Sequence, residues 1–268
     1  MESAAAGAGL AARRRRAGRL TRWVPVAAAV AAKAKLLLVL GSALLSIVVY
    51  AVGFGWPLAV GFVALLAVHE LGHVAAMRLK GFPASAPYFV PLLGAVIFAR
   101  RVPRDAAEDA FIGAGGPVTG VLGSWIALGL YAATRREVFL ALATLGFLVH
   151  LFNLVPVTPL DGGRILAFLR WWVWVPAFLV LLVVFTYDAR THAVVPPGPV
   201  GTVILVMVLA HLVGEWRRER RHQRPPVGLG LGARFACAGV WLALAAATVA
   251  GLGVALGGAP GVRTALGV

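Results

Sequence analysis

Apolar runs long enough to cross a bilayer leave this chain few ways to fold. They fall at about residues 36–55, 57–79, 108–132, 138–157, 171–187, 198–214 and 235–257, and a spanning helix needs roughly 20 such residues. In lipid each backbone N–H and C=O must be satisfied within its own segment, so each run is expected to be helical. Composition agrees, with 60% hydrophobic and 13% charged residues, against about half and a quarter in soluble domains. The expected fold is an all-α polytopic membrane protein with about six to seven transmembrane helices. One cysteine, Cys237, excludes an intramolecular disulfide and a thiolate zinc site.

A formal charge of +15 would suggest nucleic acid in a soluble protein. Here the basic residues cluster between spans: Arg13 to Arg16 with Arg19 and Arg22, then Arg78 to Arg104, then Arg217 to Arg224. With the N-terminus placed in the cytoplasm, all Lys and Arg except Arg135, Arg136, Arg190 and Arg263 fall on the inner side. That asymmetry is the positive-inside pattern, so the bilayer, not nucleic acid, is the expected partner. Contact with anionic lipid is compatible with it. The expected location is a cell membrane, as a multi-pass protein of the bacterial plasma membrane. A signal peptide is the rival reading of the N-terminus, but Lys33 and Lys35 interrupt its apolar segment.

The chain divides into a basic cytoplasmic tail over 1–35, a membrane-embedded core over 36–214, a basic cytoplasmic loop over 215–234 and an extra C-terminal transmembrane helix over 235–268. Between the second and third spans, "GFPASAPYFVPLLGAVIFAR" (81–100) is apolar but broken by three prolines. Such backbone at membrane depth has to be shielded by protein or line a cavity. A short membrane-associated β-hairpin or re-entrant segment is expected there. The glycines of "PPVGLGLGA" follow no strand and match no phosphate-loop spacing.

Ten acidic residues give the sharpest filter. Eight lie in the tail, in loops or at span ends, where water solvates them. Glu70 lies within an apolar run and Asp161 directly follows one. An ionisable group inside the bilayer is costly enough to be a functional hypothesis by default. In "HELGH", His69 and His73 are four residues apart, so they stack on one helix face and can hold one metal ion. Glu70 sits about 100° round the same helix, placed to reach a water on that metal. Two imidazoles, a third ligand and an open position form the zincin arrangement. The plain structural reading is a pair of buried polar residues satisfied by a neighbouring helix.

Spacing leaves Asp161 and His150 as candidates for the third ligand. Asp161 precedes Gly162 and Gly163 and follows Pro156 and Pro159, so the backbone around it is unwound. The same carboxylate could instead cap a helix, and His150 could instead be packing or outer support. Asn153 can present its amide to a substrate or to another helix.

Three motifs together resemble the site-2 protease family of intramembrane zinc metalloproteases. They are "HELGH" on the second span, "GAGGP" (113–117) on the third, and "FNLVPVTPLDGGR" (152–164) after the fourth. In the last, Asn153, Pro156, Leu160, Asp161 and Gly162 fill the family pattern, and the likeness covers about residues 57–170. The resemblance implies His69, His73 and Asp161 as Zn2+ ligands, Glu70 as general base and Asn153 near the substrate or developing oxyanion. It implies close helix packing at Gly116 and Pro117, with Gly120 where many members carry asparagine, and β structure in the proline-rich stretch. No room is left between the metal motifs for the PDZ domain of many bacterial members, and a seventh span stands where others add a CBS pair.

The expected function is hydrolysis of peptide bonds within or near the transmembrane segment of a membrane-anchored protein, with a fragment released toward the cytoplasm. A metal transporter or channel is the rival, as is an inactive scaffold. Transport would predict polar residues spread along the bundle, whereas here they concentrate in two motifs.

Overall fold

The computed structural model describes residues 30, 33–34, 36–91, 94–97, 103–157, 160–169, 171–188, 193–220 and 229–257. The arginines of the tail, Lys35, Arg100, Arg101, Thr158, Pro159, Arg190, His192, Arg221, His222, Arg224 and Arg263 lie outside the described residues, as do residues 225–228 of "PPVGLGLGA".

The chain is mostly helical. Among the described residues, four helices are long and apolar enough to cross a membrane: α1 (Leu36–Phe54), α2 (Trp56–Leu79), α3 (Ala106–Thr134) and α8 (Leu231–Gly257). Their outer faces are apolar, with Leu37, Leu38, Val52, Leu122 and Phe235 all more than half exposed. A soluble monomer rarely shows so much contiguous apolar surface, and lipid is the solvent that accepts it.

Shorter elements fill the intervals. The helix α4 (Glu137–Asn153) leads to the single turn α5 (Asp161–Ile165). A 3-10 turn at Trp171–Trp174 feeds α6 (Val175–Thr186), and α7 (Pro199–Arg220) follows. Two antiparallel strands, β1 (Tyr88–Val90) and β2 (Gly94–Val96), pair between α2 and α3 with Phe89 opposite Ala95. The Phe89 N–H donates to Ser42 Oγ at 3.1 Å, which ties the pair to α1. A second pair, β3 (Tyr187–Asp188) and β4 (Ala193–Val194), joins α6 to α7.

Helix ends follow their local chemistry. Gly55 holds φ 77° before α2, with Pro57 in the first turn, where a missing N–H costs nothing. At the other end Gly81 has φ 70°, Phe82 N–H donates to Met77 O at 2.8 Å and Gly81 N–H to Arg78 O at 2.9 Å. This is a Schellman stop, and Phe82 packs on Met77 and Ile112 beneath it. Asp105 caps α3 by accepting the Glu108 N–H at 2.8 Å, while Glu108 accepts the Arg104 N–H at 2.7 Å. Glu108 is therefore buried and satisfied, where water had been expected to solvate it.

The fourth helix ends at Asn153, four residues before the apolar run does. Pro156 has no N–H to give and disfavours helix at the residue before it. The chain instead turns, with Val157 N–H on Val155 O and Leu160 N–H on Val157 O.

At the centre α3 lies between α2 and α4, and α8 covers α3 and α4. Phe62, Leu65, Val121, Leu140 and Phe147 are among the residues that fill this core. A second cluster gathers Leu154, Ile165 and Leu166 with Val208 and Leu212 of α7. The α2–α3 seam is made by glycine. A Cβ on Gly72 would collide with Gly115 O and Thr119 Oγ1, and one on Gly115 would meet Gly72 O. Thr119 Oγ1 donates across the seam to Val68 O at 2.9 Å. Backbone-to-backbone approach of this kind is how membrane helices gain packing that lipid cannot match.

Candidate metal centre

The seam delivers one face of α2 to one face of α3, and the polar residues of α2 meet there. His69 and His73, one turn apart, are both buried, with Nε2 atoms 3.1 Å from each other. Asp161, the first residue of α5, closes a triangle: its Oδ2 lies 3.1 Å from His69 Nε2 and 3.2 Å from His73 Nε2. Of the two third-ligand candidates, the structure brings the carboxylate to this point. Gly116 makes the room, since a Cβ there would collide with Nε2 of both histidines.

The arrangement suits a cation. His73 Nδ1 donates to Ile112 O at 2.8 Å, and a carbonyl only accepts, so the proton sits on Nδ1 and Nε2 carries a lone pair. That lone pair, a second imidazole nitrogen and a carboxylate oxygen point at one another within about a hydrogen-bond length. Three ligand atoms on a tetrahedral metal with bonds of about 2.0–2.1 Å stand about 3.3 Å apart. The observed edges of 3.1, 3.1 and 3.2 Å fit that triangle. Together the three side chains could hold one metal ion.

Asp161 is placed by the way the chain folds back after α4. Gly162 abuts Leu154 O so closely that a Cβ would collide with it. That same carbonyl accepts the indole N–H of Trp241, from α8, at 2.7 Å. Arg164, three residues on, lies 3.9 Å from the other Asp161 oxygen and grips Asp109 of α3 through Nε at 3.0 Å and Nη2 at 2.8 Å. A Cβ on Gly113 would press on Arg164 Cβ, so this glycine of "GAGGP" serves the arginine while Gly116 serves the histidines.

Glu70 is half-buried on α2, in electrostatic range of His69, His73, Asp161 and Arg164. Asn153, the last residue of α4, is half-buried one turn beyond His150. His150 is buried beside His69, with ring centres 5.1 Å apart. His211 is half-buried on α7 and is not among the groups that converge here. Sequence reasoning missed Arg164, Asp109 and Trp241. The arginine alone carried a signal, because it directly follows the "DGG" that holds Asp161.

No protein-family model matches the chain. Among curated proteins it is similar to "Probable zinc metalloprotease EGY1, chloroplastic" of Arabidopsis thaliana, at 28% identity over 155 residues. The match covers 40% of this chain and 28% of that protein, so the chain spans less than a third of the relative's length. The motifs and this relative point the same way: the chain resembles the site-2 protease family of zinc metalloproteases.

Proposed function

We propose that this protein is an intramembrane zinc metalloprotease that cleaves within or near the transmembrane segments of membrane-anchored proteins. The observation that carries this reading is the convergence of His69, His73 and Asp161 among helices whose outer faces are apolar. His69, His73 and Asp161 are the ligand set, and the fourth position of a tetrahedral site stays open for chemistry. Zinc, when bound, acts as a Lewis acid and brings the pKa of its water to about 7. Glu70, next to His69 on the same helix, takes the proton of the attacking water and passes it to the departing amine. Asn153 binds the substrate backbone beside the scissile bond.

A substrate helix has to unwind first, because its peptide groups are hydrogen-bonded internally. The β1–β2 pair, in this reading associated with the membrane, offers an extended edge on which such a segment can pair. In this reading α4, α6 and α7 also lie in the membrane, which gives seven spans with α1 to α3 and α8. The N-terminus is cytoplasmic, the setting is a bacterial plasma membrane, and cleavage is regulated release of a cytoplasmic fragment.

The test is Glu70→Gln in purified protein reconstituted with a membrane-anchored reporter. The variant should retain its zinc while cleavage falls by about 10²–10⁴-fold, the usual worth of a general base. Undiminished cleavage with zinc in place would remove the protease mechanism.

A further inference from the structure

The mechanism above leaves one buried imidazole without a task. His150 is 1% exposed on α4, and its ring centre lies 5.1 Å from that of His69 at a tilt of 48°. Its Nδ1 bonds to Gly146 O. The carbonyl can only accept, so Nδ1 carries the proton and Nε2 holds a lone pair. Among the described residues that Nε2 is buried with no partner. Leaving a buried polar atom unmet is costly, and such an atom in a native fold calls for a reason.

His69 shows the complementary defect. Its Nε2 faces Asp161 and His73, which leaves the proton on Nδ1, and that Nδ1 is also buried with no partner among the described residues. His73 differs, because Ile112 O receives its Nδ1–H. One histidine of the pair is thus oriented by backbone and the other is not. An imidazole that binds metal almost always donates its second nitrogen to an acceptor that fixes its tautomer and ring orientation. The neighbouring ring supplies an acceptor of the right kind. Its space is kept by Gly120, where a Cβ would collide with His150 Nε2.

We propose that His150 is the positioning residue of His69: one buried water accepts the His69 Nδ1–H and donates to the His150 Nε2. A water at that place would find both a donor and an acceptor, as buried waters require. The inference rests on the reading of His69, His73 and Asp161 as metal ligands.

The experiment uses the full chain in detergent, stripped of metal and titrated with Co2+, whose visible spectrum reports the ligand geometry. Four proteins are compared: wild type, His150→Leu, His150→Gln and Asp161→Ala. Leucine keeps the bulk and loses the acceptor, whereas glutamine carries an amide oxygen to about the place of Nε2. His150→Leu should bind Co2+ about 10–100-fold more weakly with a shifted visible band, and His150→Gln should recover most of both. Wild-type affinity and spectrum in His150→Leu would overturn the proposal. Equal losses in both variants that track a fall in thermal stability would assign His150 to packing and overturn it as well. Asp161→Ala separates the two levels: Co2+ binding that survives it unchanged sinks the ligand assignment itself, while its loss beside an intact His150→Leu sinks the positioning role alone.

Discussion

Helices α1 and α3 are both apolar and both long enough to cross a bilayer, yet they are built for different neighbours. About a tenth of the most apolar stretch of α1 is buried against the rest of the chain, and half of that of α3. Their glycines make the contrast concrete. Among the described residues nothing lies beside Gly41 and Gly53 of α1, whereas Gly113, Gly115, Gly116 and Gly120 of α3 each touch a neighbour that a Cβ would strike. Hydrophobicity decides that a segment enters the membrane. Small and polar residues decide whether it then faces lipid or protein, because lipid gives no hydrophobic reward for helix association.

Adding a side chain at a glycine of the two helices should therefore have opposite results. Gly116→Val is expected to have the largest effect: the side chain takes the place of both imidazole tips, metal binding is lost, and stability falls by about 3 kcal/mol or more. Metal content and unfolding in detergent read both quantities, and a variant that keeps its metal would break the comparison. Arg164→Met comes next, since it frees Asp109 and removes the cation beside Asp161. Zinc affinity in a competitive chelator titration should drop by about tenfold, and unchanged affinity would confine the arginine to fold support. Smallest is Gly41→Ala, which meets open space and should be neutral or stabilising by up to about 1 kcal/mol. A clear loss of stability there would mean that α1 has a protein neighbour after all.

Much of the centre was legible in the sequence because local rules carry it. The spacing of His69 and His73 follows from the helical repeat, and Pro156 announced the break that places Asp161. The apolar runs marked α1, α2, α3 and α8 to within a few residues. What was hidden depends on tertiary approach. The Arg164–Asp109 pair joins residues 55 apart in sequence, and the Trp241–Leu154 bond joins residues 87 apart. Neither has a local signature. Glu108 misled for a related reason: its position at a helix start suggested water, but the Arg104 N–H satisfies it in a buried place. The short β3–β4 pair is too brief to leave a period-2 pattern, so the stretch between the two apolar runs read only as a loop.

The Trp241 bond also gives α8 a place in the site. It holds the carbonyl against which Gly162 packs, one residue from the Asp161 ligand atom. The C-terminal helix thus belongs to the fold of the centre, not only to its periphery.

The account stands on one metal ion held by His69, His73 and Asp161. The most direct measurement is the zinc content of purified wild-type protein beside His73→Ala and Asp161→Ala, all equilibrated against the same zinc buffer. The account predicts about one zinc ion per chain in the wild type and nearly none in either variant, with each variant still folded. Equal zinc in all three proteins would contradict it.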